Sequence, residues 1–203
     1  MPCSVADTLE RLDLADAEVA YFARAFDLPV ADELFTALRR DVAWRDEDIV
    51  LFGQRRRVPR RVAWYGDPGA KYTYSGVLHE PLEWIPPIQA VRERAEALAG
   101  QRFNSVLLNL YRDGRDGMGW HADDEPELGP QPVIASVSLG ATRRFRMRHR
   151  RRREIVSLDL GHGSLLLMAG PTQHHWVHAV PKTTRAVGER INLTFRTVQR
   201  ARG

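Results

Sequence analysis

The sequence predicts a mainly β fold of the α+β class, in which a double-stranded β-helix (jelly-roll) core carries flanking helices. From residue 103 onward, short β-favouring runs alternate with turn residues, whereas helical spacing is confined to two upstream segments. Side chains suited to one metal ion also stand far apart in the chain. A jelly-roll brings distant strands together around one interior, so these observations favour it over other β architectures.

The N-terminal part of the chain is expected to be a peripheral lead-in followed by a helix. Residues 1–28 show little periodicity, and aromatic side chains are expected to anchor them on the core: Tyr21, Phe22 and Phe26. After Pro29, apolar residues recur at helical spacing: Val30, Leu34 and Leu38. Acidic Asp32 and Glu33 in the first turn and two arginines in the last turn match the helix dipole, which supports a helix here.

A hairpin and a second helix are predicted next. The segment 49–69 contains a short apolar run, five arginines and a turn, which is typical of a hairpin plus loop. The second helix is expected to begin after the proline pair 86–87 and to end at Gly100. Its apolar face contains Ile88, Val91, Ala95 and Leu98.

Six runs of strand character follow without a helix between them. They are residues 104–111, 133–139, 144–149, 155–160, 164–168 and 191–198. We therefore expect a single domain over residues 1–203, with a helical flank and hairpins in 1–100 and the jelly-roll core in 101–198.

Composition limits the class of protein. With 203 residues, of which 43% are hydrophobic, the chain is long enough for one domain with a sizeable core. It has one cysteine and neither an apolar run of membrane-spanning length nor a leader, so we expect a cytoplasmic protein. We also expect it to be a monomer. Residues 1–50 hold 5 Arg/Lys against 12 Asp/Glu (net −7), and residues 51–203 hold 25 against 14 (net +11). Such asymmetry suits a polyanionic partner.

Three side chains form a candidate metal site. His121 and Asp123 lie two residues apart, so on an extended backbone they point to the same face, and His178 follows 55 positions after Asp123. Two imidazoles and one carboxylate on one face of an ion leave positions open, which suits non-haem Fe(II) and oxygen chemistry. Zinc accepts the same ligands, and H-x-D alone is weak evidence, so a zinc hydrolase stays open.

The last predicted strand has one polar and one apolar face. Even spacing places its polar residues together: Arg190, Asn192, Thr194 and Arg196. Two guanidiniums on a strand with an apolar back predict an anion site, and a dicarboxylic acid fits because guanidinium forks match carboxylates with two hydrogen bonds. A solvated sheet face shows the same alternation. The two patterns together favour a functional site.

These motifs, with N-x-Y at Asn109 and Tyr111, H-x-D at His121 and R-x-N-x-T-x-R from Arg190, resemble the AlkB family of Fe(II)/2-oxoglutarate dioxygenases. The resemblance extends through R-V-P-R-R-V-A-W-Y-G-D and Y-T-Y-S-G, over roughly positions 50 to 198, and is closest to the branch that repairs duplex DNA. It implies Fe(II) on the His-Asp-His triad, with 2-oxoglutarate and O2 as cosubstrates. It also implies that Arg190 pairs with the distal carboxylate, aided by Tyr111, with Asn109 and Arg196 nearer the metal.

The resemblance further implies the substrate, an N-methyl group on a DNA base such as 1-methyladenine or 3-methylcytosine, removed as formaldehyde with release of succinate and CO2. These lesions block the pairing edge, so the base must be flipped out or met in a single strand. Tyr74 matches the family's stacking aromatic, with Tyr72 and Ser75 beside it. Glu125 matches an acidic residue that contacts the base.

Two basic segments are candidates for holding nucleic acid. In I-V-L-F-G, Phe52 is either an apolar wedge at a hairpin tip, filling the gap left by a flipped base, or a core residue. Arg60 belongs to the arginines of the same hairpin and is a candidate nucleic-acid contact. Eight arginines occur between Arg143 and Arg153, and such a segment is expected to bind phosphate with an affinity that falls steeply with salt.

Three other functions remain open from the sequence. The same oxygenase chemistry could act on RNA or on a protein side chain. A zinc hydrolase using the same three ligands would leave Arg190 and Arg196 without a role. A basic nucleic-acid-binding module without catalysis would make the histidines incidental.

Overall fold

The computed structural model describes residues 9–51, 54–70, 72–74 and 77–199. In chain order, the strands are β1 (Leu9–Leu12), β2 (Glu18–Phe22), β3 (Arg45–Leu51), β4 (Gln54–Gly66), β5 (Tyr72–Tyr74), β6 (Val77–His79), β7 (Ser105–Tyr111), β8 (Met118–His121), β9 (Ile134–Gly140), β10 (Arg143–His149), β11 (Ile155–Leu160), β12 (Ser164–Ala169), β13 (Trp176–Val180) and β14 (Arg190–Arg196). The helices are α1 (Leu28–Asp41), α2 (Pro86–Ala99) and the one-turn α3 (Thr172–His175), and a 3-10 turn covers Pro126–Leu128.

The strands form two main antiparallel sheets. The large sheet has the spatial order β1-β2-β12-β9-β14-β7-β4-β3, and the small sheet has the order β11-β10-β13-β8. β5 and β6 pair separately. One hydrophobic core lies between the helices and the large sheet, and a second contains buried residues of both sheets. The mainly β jelly-roll with flanking helices predicted from the sequence is therefore confirmed.

The alternation in β14 explains how one strand serves both the core and the cavity. Ile191, Leu193 and Phe195 are fully buried in the core that includes the helices. The intervening polar residues point the other way, towards the small sheet. β14 is also central, because it pairs with β9 on one side and β7 on the other. Its polar face is consequently buried rather than solvated.

The helices agree with prediction in position and differ in detail. α2 buries Ile88, Val91 and Ala95. It begins at Pro86, so it includes the proline pair that was expected to precede it, and it is capped by Gly100 in the left-handed conformation (φ 68°). α1 begins at Leu28, so the predicted acidic residues do not lie in its first turn. Ala31 rather than Val30 completes its buried stripe, and Val30 is 46% exposed.

Residues before α1 are not a simple lead-in, contrary to expectation. β2 pairs with β12 and β1 pairs with β2, so both extend the large sheet. β2 is largely buried, and such a strand lacks a clear apolar-polar alternation in its sequence. The large sheet also joins strands from both sides of residue 100, so the predicted subdivision at that point stays a prediction.

No helix in the described segments is long and apolar enough to cross a membrane.

Gly140, at the end of β9, supplies a test of the fold next to the cavity. It has φ 88°, and a Cβ there would meet the Glu189 carbonyl and lie 2.7 Å from the Phe35 ring. We expect Gly140→Ala to lower the free energy of unfolding by roughly 2 to 5 kcal/mol, from left-handed strain plus overpacking. Thermal denaturation measures this. Gly161→Ala is the matched control, because its Cβ would meet nothing closer than 3.8 Å; equal stability losses in the two variants would contradict the explanation.

Candidate active site

A cavity between the two sheets collects the polar residues singled out in the sequence. Apolar side chains, among them Met118, Phe145 and Val180, form part of its wall. The predicted metal and dicarboxylate residues all line it: Asn109, Tyr111, His121, Asp123, His178, Arg190, Asn192, Thr194 and Arg196. Residues separated by up to 87 positions (196 − 109) thus share one cavity because β7 and β14 are neighbours in the large sheet.

The three candidate metal ligands converge at one end of the small sheet. His121 ends β8 and is the Cα partner of His178 on β13, and the two ring centroids lie 4.2 Å apart. Asp123 follows β8 by two residues, and its Oδ2 lies 3.7 Å from His178 Nε2. One ligand atom from each of the three residues lies within 4.8 Å of the others. This spacing suits a single ion bound by all three.

The charges at this position also suit a metal ion. Asp123 is 2% exposed, and Arg196 Nη2 donates a 2.5 Å hydrogen bond to its Oδ1. Burial alone raises the pKa of Asp123, but the Arg196 charge and the nearby imidazoles outweigh it and hold the pKa below its ordinary value. Burial, followed by the His121 charge, lowers the pKa of His178 to about 3. His178 is therefore neutral at physiological pH, which is the form that binds metals.

Neighbouring groups fix the orientation of the triad. His121 Nδ1 lies 2.9 Å from the Gly119 carbonyl oxygen, which can only accept, so Nδ1 carries the proton and Nε2 keeps its lone pair. The backbone N–H of Asp123 donates to Gln173 Oε1 at 3.0 Å. The Phe145 ring stacks on His178 at a centroid distance of 5.3 Å. The site is preorganised by contacts from β8 itself and from two further elements, α3 and β10.

Arg190 is the second notable feature of the cavity. Its guanidinium is 1% exposed and lies 5.1 Å from the Tyr111 ring centroid, and Nη2 donates to Ser138 Oγ at 2.8 Å. Across residues 9–51, 54–70, 72–74 and 77–199, its Nε and Nη1 atoms have no hydrogen-bond partner. Burial lowers the pKa of Arg190. A buried guanidinium with unsatisfied donors is costly, and a ligand carboxylate is the group that would satisfy it.

Two residues predicted to contact nucleic acid, Glu125 and Arg60, have described side chains, and unlike the metal and cosubstrate residues they do not line the cavity. Glu125 is half-buried and precedes the 3-10 turn that follows Asp123. Arg60 is 3% exposed, and its Nε donates to Asn109 Oδ1 at 2.6 Å, so this guanidinium is engaged inside the protein rather than at its surface. That position does not favour the predicted contact with nucleic acid.

Four predicted substrate residues cannot be compared with the structure at side-chain level. Phe52 and Ser75 lie outside the described residues. Tyr72 and Tyr74 are the first and last residues of β5, for which the backbone alone is described. Their predicted roles in stacking or wedging stay predictions.

Several residues that shape the cavity were not recognised in the sequence. Ser136 and Ser138 alternate on β9 and bond Asn192 and Arg190. Their period of two within an apolar run was a usable signal. Gln173, on the turn before β13, carried no such signal. Arg143 was grouped with the arginines expected to bind phosphate, yet it is 3% exposed and donates to the carbonyls of residues 113, 116 and 181.

A second cluster with metal-ligating side chains occurs at the other end of the small sheet. It contains Asp16, His149 and His175. His149 Nδ1 accepts the backbone N–H groups of residues 151 and 152, so Nε2 carries the proton that it donates to Asp16 Oδ2 at 3.2 Å. Arg152 Nη2 lies 3.1 Å from the same carboxylate oxygen. Both ring nitrogens of His149 are thus already engaged, so His149 is not free to bind a metal. Asp16 and His149 instead form a hydrogen-bonded clasp that joins the hairpin of β1 and β2 to the arginine turn 150–153.

Known proteins resemble this chain over most of its length. Residues 18–196 match the family model described as the 2OG-Fe(II) oxygenase superfamily. The chain is 45% identical over 179 residues to the DNA oxidative demethylase ALKBH2 of Bos taurus, covering 83% of this chain and 64% of that protein. It is 44% identical over 182 residues to the alpha-ketoglutarate-dependent dioxygenase alkB homolog 3 of Bos taurus, covering 85% and 63%. It therefore spans slightly less than two thirds of the length of these relatives.

Solved structures support the fold. The structure of OsALKBH1 superposes with a TM-score of 0.67 over 93% of this chain and 99% of that one, at 15% identity. At such low identity the likeness concerns the fold alone. The family match covers almost the whole described region, and it includes every residue of the cavity. The chain belongs to the 2OG-Fe(II) oxygenase superfamily, whose members use Fe(II), 2-oxoglutarate and O2.

Proposed function

We propose that this protein is an oxidative demethylase that repairs N-alkylated bases, such as 1-methyladenine and 3-methylcytosine, in DNA. One observation carries the proposal: a His-Asp-His triad and a buried arginine with unsatisfied donors share one cavity. The triad suits Fe(II), and the arginine suits a carboxylate of 2-oxoglutarate. The bound metal and cosubstrate supply the oxidation of the methyl C–H bond.

The chain's own residues have binding and orienting roles in this proposal. His121, Asp123 and His178 hold the iron. Arg190 binds the distal carboxylate of 2-oxoglutarate while the Tyr111 ring keeps its guanidinium in place. The remaining cavity residues at the metal end or along β14 complete the cosubstrate site: Asn109, Asn192, Thr194 and Arg196.

Arg60 acts through one of these residues in our proposal. Its 2.6 Å hydrogen bond to Asn109 orients the Asn109 amide, so we assign Arg60 a positioning role instead of the predicted contact with nucleic acid. This bond crosses from β4 to β7, which are neighbours in the large sheet.

The substrate part of the proposal rests on the relatives and on charge. Two relatives above 40% identity are named as a DNA oxidative demethylase and an alkB homologue. The region 51–203 has a net charge of +11 (25 − 14), which suits a phosphate backbone. Tyr74, with Tyr72 and Ser75, is proposed to stack on the flipped base, and Glu125 to contact its edge. Cytoplasmic location and a monomeric state stay predictions.

The chemistry balances without further reagents. One atom of O2 enters the methyl group and the other enters succinate, as 2-oxoglutarate loses CO2. The resulting hydroxymethyl group on the base nitrogen leaves as formaldehyde and restores the pairing edge. A zinc hydrolase with the same ligands is not favoured, because it gives the buried Arg190 no anionic partner.

The deciding experiment measures formaldehyde and succinate from oligonucleotides that carry one 1-methyladenine. We expect one formaldehyde per succinate with DNA in the presence of iron and 2-oxoglutarate, and none when 2-oxoglutarate is omitted. Single-stranded DNA, duplex DNA and RNA of the same sequence are compared in parallel. Exclusive turnover of the RNA, or release that does not depend on 2-oxoglutarate, would overturn the proposal.

A further inference from the structure

The outer face of the small sheet, on the side away from the cavity, carries an exposed indole next to two guanidiniums. Alternation along β10 points Arg144, Arg146 and Arg148 outward. From the edge strand β8, the Trp120 ring reaches towards β10, and its centroid lies 4.6 Å from Arg148 Cζ and 5.6 Å from Arg146 Cζ. The intervening strand β13 offers the small Ala179 opposite Arg146, which leaves room for the indole. Trp120 remains 38% exposed.

The charge of this face is only partly balanced. Arg144 forms a two-hydrogen-bond pair with Asp159 on β11. In the described part of the chain, Arg146 and Arg148 have no acidic partner within ion-pair distance. The same is true of the exposed Lys182. Positive charge without compensation therefore surrounds the indole, which is the electrostatic signature of a surface that binds an anionic chain.

A groove of about 250 Å³ runs beside the indole, lined by Trp120 and Lys182 among others. Met118 and Val180 line both this groove and the cavity that holds the metal triad. Trp120 directly precedes His121 at the end of β8. Successive side chains of a strand point to opposite faces, so the indole lies outside the sheet and the candidate metal ligand His121 lies inside. A nucleotide strand that delivers a base into the cavity would pass close to this groove.

We propose that Trp120, Arg146 and Arg148 form a stacking platform for an unpaired base that flanks the lesion in single-stranded DNA, an inference that rests on the proposed function. Aromatic rings and guanidinium planes stack on any base, and the two arginines neutralise adjacent phosphates. In duplex DNA the flanking bases stay stacked and paired, so none is available for the indole. The platform therefore favours single strands, in contrast to the duplex-specific wedge predicted for Phe52.

The test compares affinities for an unmethylated, fluorescently labelled single-stranded DNA oligonucleotide, measured by anisotropy with the iron- and 2-oxoglutarate-loaded protein without O2. Trp120→Ala is expected to weaken binding at least about fivefold, the loss typical of one base–aromatic stack. Trp120→Phe, which keeps a stacking ring, should recover most of the affinity. The matched control is Leu28→Ala, which removes an even more exposed apolar side chain (57% exposed) at the start of α1 and should leave binding unchanged.

The same variants are measured on the duplex of the same sequence, where Trp120→Ala should change the affinity less than twofold. A wild-type affinity of Trp120→Ala for the single strand would overturn the platform. So would equal losses on single strand and duplex, or a Trp120→Phe variant as weak as Trp120→Ala with an unchanged melting temperature. These measurements use unmethylated DNA and no turnover, so they test the platform even if the protein releases no formaldehyde. If formaldehyde release is normal but Trp120→Ala binds single-stranded DNA as wild type does, the platform is rejected and the proposed function stands.

Discussion

Replacing any one of His121, Asp123 and His178 by Ala is expected to abolish formaldehyde release and iron retention, but the three variants should differ in stability. An open oxygenase site needs all three ligands to keep its iron. Asp123 has a second partner, because Arg196 donates to its Oδ1 in the protein interior. Removing this carboxylate leaves a buried guanidinium without its ion pair, which typically costs about 3 to 5 kcal/mol.

The melting temperature of the metal-free proteins separates these effects. Asp123→Ala should melt on the order of 10 °C below wild type, whereas the two histidine variants should melt much closer to it. Iron per chain and formaldehyde release are measured on the same samples. His174→Ala is the matched control, since His174 is an exposed histidine four residues before His178 in the chain and is not one of the three ligands. Near-normal turnover in any triad variant would remove that residue from the metal site.

Arg190→Met is expected to produce opposite changes in stability and cosubstrate binding. Without a ligand, the wild-type protein buries a guanidinium whose Nε and Nη1 donors are unsatisfied in the described structure. An apolar side chain of similar length removes that cost, so the ligand-free variant should melt at a higher temperature. The same variant loses two charge-assisted hydrogen bonds to 2-oxoglutarate, so the half-saturating concentration should rise roughly a hundredfold. Arg190→Lys should lie between the two, because an ammonium cannot reproduce the fork.

The measurement is thermal denaturation with and without 2-oxoglutarate, in iron-loaded protein. We expect 2-oxoglutarate to raise the melting temperature of wild type in proportion to how far it saturates the site. The same concentration should not raise the melting temperature of Arg190→Met. Arg144→Met is the control for loss of an arginine, because its pair with Asp159 is exposed and contributes little. An unchanged response of Arg190→Met to 2-oxoglutarate would reject the assignment of Arg190 to the distal carboxylate.

The sequence was most informative where one strand carries a regular alternation. The even spacing of polar residues from Arg190 to Arg196 predicted their common face, and H-x-D predicted the convergence of His121 and Asp123. Both patterns depend only on backbone geometry, so they survive whatever packs against them. The end of the second helix was equally easy to predict from the sequence, because the left-handed cap at Gly100 depends on local conformation alone.

Other features depend on partners that a sequence does not reveal. β2 is buried and shows little alternation, so its pairing with β12 was missed. Gln173 accepts a hydrogen bond from the backbone of Asp123, and Arg143 donates one to the carbonyl of residue 116. In both pairs the partner lies in a distant part of the chain. The hydrogen bond of Arg60 was missed for the same reason, because its partner Asn109 is 49 residues away in the chain. In each case the residue type was visible and its partner was not.

The clasp formed by Asp16 and His149 has a consequence for how the arginine turn meets a polyanion. The His149 ring accepts the backbone N–H groups of residues 151 and 152, and the Arg152 side chain pairs with Asp16. Part of the conformational entropy of this turn is thus removed during folding, before any phosphate arrives. Tight binding by four consecutive arginines would otherwise require ordering a flexible, self-repelling segment. The hairpin of β1 and β2 thereby stabilises the shape in which the basic turn presents its charge.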